Sequence, residues 1–158
     1  MKKVDRIREI VPDCGISSDF IAGFCTETEV EHQDTLSIMD YSRYDYSYMY
    51  YYSERPGTLA AKRYADDIPE EVKKRRLQEI VDKQYFLSLH SNQRDIGQTY
   101  KVLIEGNSKK DESSWMGRNS QNKVIVFPKE NYDLKKGDYV MVKVNNCTKG
   151  TLLGTIEK

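Results

Sequence analysis

Four basic side chains near the start of the C-terminal third, Lys109, Lys110, Arg118 and Lys123, flank the chain's single tryptophan, Trp115. Ammonium and guanidinium groups neutralise phosphates, and an indole face can stack on a nucleobase, so this grouping reads as a nucleic-acid contact. The plain alternative for Trp115 is a place in a hydrophobic core. A second grouping is Arg55 in Ser53-Glu54-Arg55-Pro56-Gly57-Thr58, a turn sequence that follows a tyrosine-rich run and could present one cation to a phosphate or carboxylate. The three cysteines, Cys14, Cys25 and Cys147, are odd in number and far apart. They form neither a disulfide framework nor a Cys-x-x-Cys pair. His32 and His90 have no partner at metal-ligand spacing, so no metal site and no catalytic residue is assigned.

These residues need elements to hold them. Val4, Ile7, Ile10 and Val11 share one helical face, ended by Pro12-Asp13. Ile16 to Phe24 is short and mostly apolar after Asp19, as expected of a buried strand of a parallel sheet. Thr28-Glu29-Val30-Glu31 fits a capping box that opens a helix with Leu36 and Met39 inward. Tyr44 to Tyr52 predicts a second strand; its tyrosines could also stack bases, although half-buried strands carry tyrosine for packing. Ile68-Pro69-Glu70-Glu71 opens the longest helix, with Val72, Leu77, Ile80, Val81, Tyr85 and Leu89 as its inner stripe; Lys73-Lys74-Arg75-Arg76 could touch phosphate, but beside Glu70, Glu71 and Glu79 it reads as a solvated face. After Gly97 the period changes to strands at Tyr100 to Glu105, Trp115 to Asn119, Lys123 to Phe127, Asp138 to Val144 and Thr151 to Glu157. Five short strands within about sixty residues suit a small OB-like barrel.

Charge follows the same division. Lys+Arg and Asp+Glu tie at 25 each, so the formal net charge is zero. Residues 1–98 hold 14 basic and 18 acidic side chains, and residues 99–158 hold 11 and 7, so −4 in one part cancels +4 in the other. An acidic α/β portion, residues 1–97, joined to a basic barrel, residues 98–158, is the expected organisation. No apolar run approaches the roughly 20 residues of a membrane span, which argues against a membrane partner. The first residues lack the apolar stretch of a signal peptide, so the cytoplasm is the expected location.

The order of motifs resembles a known family. Ser17-Ser18-Asp19-Phe20-Ile21-Ala22-Gly23-Phe24 running into Glu27-Thr28, then Tyr52 to Ala60 around Arg55-Pro56-Gly57-Thr58, then Ile68 to Lys73, are similar to the C-terminal portion of radical SAM methylthiotransferases. Val102 to Gly106, Met116-Gly117-Arg118 and Asn122 to Phe127 resemble the TRAM domain that ends these enzymes, a small RNA-binding barrel. The Arg-Pro-Gly-Thr loop resembles the tRNA-modifying branch, and Gly117-Arg118 with Asn122 to Phe127 resembles its members acting on isopentenyladenosine.

The resemblance implies insertion of a methylthio group beside the anticodon, with S-adenosylmethionine and two 4Fe-4S clusters as cofactors and the tRNA anticodon stem-loop as partner. On it, Asp19, Ile21 and Gly23 would face S-adenosylmethionine, Arg55 would meet substrate, and Lys109, Lys110, Trp115, Arg118 and Lys123 would meet RNA. The family's Cys-x-x-x-Cys-x-x-Cys motif and the three cysteines of its N-terminal domain have no counterpart here, and Cys25-Thr26 stands where much of the family has Pro-Gly. The expectation is therefore a C-terminal fragment, with the end of a radical SAM barrel, a partial TIM-like α/β fold, followed by a TRAM barrel and without the N-terminal cluster domains, inactive by itself. A stand-alone RNA-binding protein that uses the barrel without any enzyme is the alternative.

Overall fold

The computed structural model describes residues 1–130 and 133–157. Their contacts divide into two units, one of residues 1–6 and 16–87, the other of residues 7–15 and 88–158. Helix α1 (Lys2–Ile10) opens the chain, with its residues divided between the two units. Among the described residues, no helix is long and apolar enough to cross a membrane.

In the first unit, β1 (Ser17–Ala22), α2 (Glu29–Ser42) and β2 (Tyr46–Tyr51) make one parallel βαβ unit, with Ser17 opposite Tyr46 and Ala22 opposite Tyr51. Alternation decides the faces. Phe20 and Ala22 are buried with Met39 of α2, and Met49 packs on the same cluster. Asp19, Ile21, Tyr48 and Tyr50 are exposed on the other face of the sheet. Helix α2 starts where the capping box predicts. Thr28 Oγ1 accepts from the Glu31 amide at 3.3 Å, and Glu31 Oε2 accepts from the Thr28 amide at 2.8 Å. Arg43 ends it in a left-handed conformation. A short α3 (Leu59–Arg63), capped by the Thr58 hydroxyl, precedes α4 (Glu70–Gln93).

The buried face of α4 differs from the expected stripe. Ile80 is buried and Leu77 and Leu87 pack beside it, but Tyr85 and Leu89 are exposed, and Lys73, Arg76, Gln84 and Ser88 are buried. Polar groups can occupy core-facing positions when their tips find partners. Lys73 Nζ pairs with Asp66, Arg76 with Glu27, and Gln84 donates to the Tyr44 carbonyl and accepts from the Ser47 hydroxyl, each at 2.9 Å. The basic run is thus not one solvated face, because Lys73 and Arg76 point inward.

The second unit is a closed barrel in the order β3 (Thr99–Asn107), β4 (Ser114–Arg118), β5 (Val124–Pro128), β7 (Leu152–Ile156) and β6 (Tyr139–Cys147). Only β5 and β7 pair in parallel; the other neighbours are antiparallel. Val102, Ile104, Ile125, Phe127, Val142, Val144 and Leu152 fill the interior. Gly117 and Gly154 let the walls approach each other. A Cβ on Gly117 would strike the Leu103 carbonyl oxygen and lie 2.6 Å from Val102 Cγ1. Backbone in a closed ladder cannot yield, so Gly117→Ala is expected to cost about 1–3 kcal/mol or more, read as a lower urea midpoint of the chain.

Candidate nucleic-acid interface

The loop from β3 to β4 carries Lys109 and Lys110, both exposed. Asp111 shapes it: its carboxylate accepts from the Ser113 amide and hydroxyl at 2.9 and 2.6 Å and from the Ser114 hydroxyl at 2.7 Å. The Ser113 bonds, first among these, hold its pKa below the ordinary carboxylate value. Trp115 follows at the start of β4. It is half-buried, packs against the barrel core, and has Lys129 Nζ 4.5 Å from its ring centroid. This end of the barrel therefore presents Lys129 over the indole and Lys109 and Lys110 exposed in the loop that precedes it. Lys129 was not singled out from sequence, where it stands at the end of a strand with nothing nearby to mark it; the fold returns it to Trp115.

Arg118 and Lys123 lie at the other end of β4. With about 3.3 Å per residue, four steps of strand place Arg118 about 13 Å from Ser114, so the expected single cluster of four cations is split. Arg118 is half-buried: Nε lies 3.3 Å from Glu105 Oε2, and Nη1 donates to the Asn122 carbonyl at 2.9 Å. Lys123 is a correction to the expected RNA surface. Its ammonium donates to Asp95 Oδ2 at 2.6 Å and Ser91 Oγ at 2.8 Å, with the two charged side chains only 8% and 9% exposed. Tyr100 donates its hydroxyl to the other Asp95 oxygen at 2.7 Å, and burial, reinforced by Asp95, pushes its phenol upward. Lys123 thus holds the barrel to the segment that leads into it.

The first unit offers a cleft of about 590 Å³ lined by Ile21, Met49, Tyr50, Tyr51, Tyr52, Ser53, Arg55, Thr58, Ala60 and Leu77. Arg55 is exposed at its rim, and its carbonyl accepts from the Thr58 amide at 3.3 Å and hydroxyl at 2.8 Å, which folds the Arg-Pro-Gly-Thr turn into the cap of α3. Of the residues expected to meet S-adenosylmethionine, Ile21 lines this cleft and Asp19 does not. Gly23 is occupied otherwise. Its φ is +67°, its amide donates to Glu27 Oε2 at 2.8 Å, and the place of a Cβ is filled by the Lys73 side chain. A lysine stem, and not an adenosine, closes on it.

Among the described residues, one group of three side chains has metal-ligand proximity: Glu29, His32 and Glu79. Arg75 already supplies the positive charge there, 2.7 Å from Glu29 Oε2 and 2.6 Å from Glu79 Oε1. Its hydrogen bond is the main reason the Glu29 pKa falls to about 2. Buried His32 meets Glu79 at 2.7 Å and is the first cause of that carboxylate's lowered pKa. The cysteines do not join this group: Cys14 is exposed, Cys25 is buried, and Cys147 is half-buried with its thiol pKa raised by that burial. The geometry fits no iron-sulfur cluster.

Comparisons with known proteins bear on both units. The sequence model of the TRAM domain matches residues 93–156. Over 157 residues the chain is 64% identical to a protein of Amoebophilus asiaticus named tRNA-2-methylthio-N(6)-dimethylallyladenosine synthase, a match that covers 99% of this chain and 32% of the relative. Proteins of the same name from Christiangramia forsetii and Phocaeicola vulgatus are 56% and 47% identical over 151 and 154 residues, covering 96% and 98% of this chain and 31% and 33% of theirs. The chain spans about a third of the length of the curated relatives it matches.

Proposed function

We propose, from the premise that residues 93–156 are a TRAM domain, that this chain is the RNA-holding portion of a tRNA methylthiotransferase, an enzyme that adds a methylthio group to isopentenyladenosine next to the anticodon. The observation that carries the reading is the extent of the likeness. Identity of 64% over 157 residues includes the βαβ unit, α3 and most of α4, which a free-standing RNA-binding barrel would not need. The barrel portion, residues 98–158, would hold the anticodon stem-loop, and the sheet portion, residues 1–97, would be the end of the radical SAM barrel that lines the substrate cleft. In this reading the protein works in the cytoplasm with tRNA as partner.

The whole enzyme would use S-adenosylmethionine and two 4Fe-4S clusters, which supply the radical and the sulfur chemistry. The described residues of this chain provide neither the thiolate set of a cluster nor an approach to an adenosine at Gly23, so the contribution assigned to them is binding and orientation. Arg55, at the rim of this cleft, is the cation placed to meet a phosphate there.

The test is binding of a labelled anticodon stem-loop across a salt series. Each phosphate contact contributes about 0.7–0.9 to the slope of log K against log salt. The Lys109→Ala/Lys110→Ala/Lys129→Ala variant is expected to lose about two units of that slope and at least tenfold in affinity at low salt. An unchanged slope removes this end of the barrel as the interface, and no binding by the parent chain rejects the reading as a whole.

A further inference from the structure

Strand β6 alternates along its length, and its two faces do different work. Val140, Val142 and Val144 pack into or against the barrel core, while Tyr139, Met141 and Lys143 are exposed. Tyr139 is 60% and Met141 46% exposed. Neither side chain contributes to a core already filled from the inner face, and a closed barrel has no edge for them to protect. On the neighbouring strand, Lys101 stands opposite Met141, and its ammonium lies 4.6 Å from the centroid of the Tyr139 ring. Lys143 is exposed opposite Thr99 and Thr155. Lys135 and Lys136 are exposed in the turn that leads into Tyr139. The acids around it are Glu105, on the same side of β3 and paired with Arg118, Asp133 before Lys135, Asp138, whose carboxylate accepts the Lys135 amide at 3.0 Å, and Glu157 beyond the end of β7.

We propose that this outward face of β3 and β6 holds an unpaired stretch of RNA, with a base stacked on Tyr139 beside Met141 and with phosphates on Lys101 and Lys143. The inference rests on the RNA-holding role above and adds a second, separate surface to it. Lys101 and Asn107 are six steps apart along β3, about 20 Å of extended strand, so this face and the Lys109–Lys110 loop are different places on the barrel.

The chemistry selects nucleic acid. An exposed aromatic ring with a lysine already over its face is a stacking platform next to a phosphate ligand, and every base has a π-face to offer it. Four lysines, Lys101, Lys135, Lys136 and Lys143, stand on or beside this face, and they favour a polyanion over an apolar protein surface. Pairing hides base faces in a duplex, so the site favours single strands. Trp115, by contrast, is half-buried and packed against the core, whereas Tyr139 is 60% exposed, so Tyr139 is the more accessible stacking ring.

The experiment uses the full chain and two fluorescein-labelled probes, octaadenylate and a blunt twelve-base-pair RNA duplex. Tyr139→Ala is expected to weaken octaadenylate binding about fivefold or more, with the salt slope unchanged. Tyr139→Phe is expected to bind as the parent does, and duplex affinity to change less than twofold. Lys101→Met/Lys143→Met is expected to reduce the single-strand salt slope by about 1.4. Isotope-labelled Met141 methyl signals should shift on titration with octaadenylate. Parent-like octaadenylate affinity for Tyr139→Ala, or equal losses on both probes, overturns the proposal. If that result comes with weakened binding by Lys109→Ala/Lys110→Ala, the RNA-holding role stands without the second surface. Failure of the parent chain to bind either probe removes both readings.

Discussion

Replacing Lys123 with Met is expected to lower the stability of the barrel unit by about 3–5 kcal/mol, as removal of one partner of a buried ion pair does. The substitution leaves the Asp95 carboxylate, 9% exposed, with the Tyr100 hydroxyl but without its cation. The measurement is a urea titration of the full chain followed at its single tryptophan, which sits in this unit and reports its unfolding. Adding Asp95→Leu to Lys123→Met is expected to restore much of the loss, because a buried pair replaced by apolar groups of similar size is close to neutral. Below the unfolding transition, Lys123→Met should bind the anticodon stem-loop with parent-like affinity. A clear loss of RNA affinity without loss of stability would return Lys123 to the interface.

Arg76→Met is the counterpart in the sheet unit. The Arg76 guanidinium, 6% exposed, donates to the Glu27 carbonyl at 2.9 Å, to Glu27 Oε2 at 2.8 Å and to Glu29 Oε2 at 3.2 Å. Glu27, 13% exposed, in turn accepts the Gly23 amide. Through Glu27, one side chain of α4 thereby anchors the segment between β1 and α2. Its removal is expected to cost about 3 kcal/mol, the lower end for a buried pair, because Glu27 keeps one amide donor and some access to water. Cys25, inside that segment and 2% exposed, supplies the readout. In a Cys14→Ser/Cys147→Ser background, Arg76→Met should raise the rate at which Cys25 reacts with an aromatic disulfide reagent by more than tenfold. Parent-like thiol protection would show that the segment is held by other contacts. Arg76→Lys should not rescue fully, since one ammonium cannot reproduce the fork of bonds.

What could be read in the sequence was what local chemistry determines. The capping box at Thr28 and Glu31 formed both reciprocal bonds, since its partners are three residues apart and need nothing else in the fold. The five barrel strands came from period-two alternation and turn residues, signals carried within each segment. The misreadings involve partners far away in sequence. Lys73 and Arg76 looked solvated because a basic run usually is, but Glu27, forty-nine residues from Arg76, makes a buried position possible. The same holds for Lys123 and Asp95, twenty-eight apart. The grouping of Lys109, Lys110, Arg118 and Lys123 failed for a geometric reason: nearness along the chain becomes distance when the intervening residues form a strand. Tyr139 was hidden by the opposite effect, being an ordinary member of an alternating strand until the barrel closed and left it outside with Lys101.

The barrel's closure has a consequence for how this chain, on its own, resists a protease. Every strand of the barrel has a neighbour on both sides, so its amides are released together or not at all. Strands β1 and β2 pair only with each other among the described residues, and each leaves one row of backbone groups without a strand partner. Local opening is cheaper there, and proteolysis follows the population of such open forms when reclosing is fast. One polypeptide would thus carry two clocks, a slow one set by the all-or-none opening of the barrel and a faster one set by the fraying of a two-stranded edge.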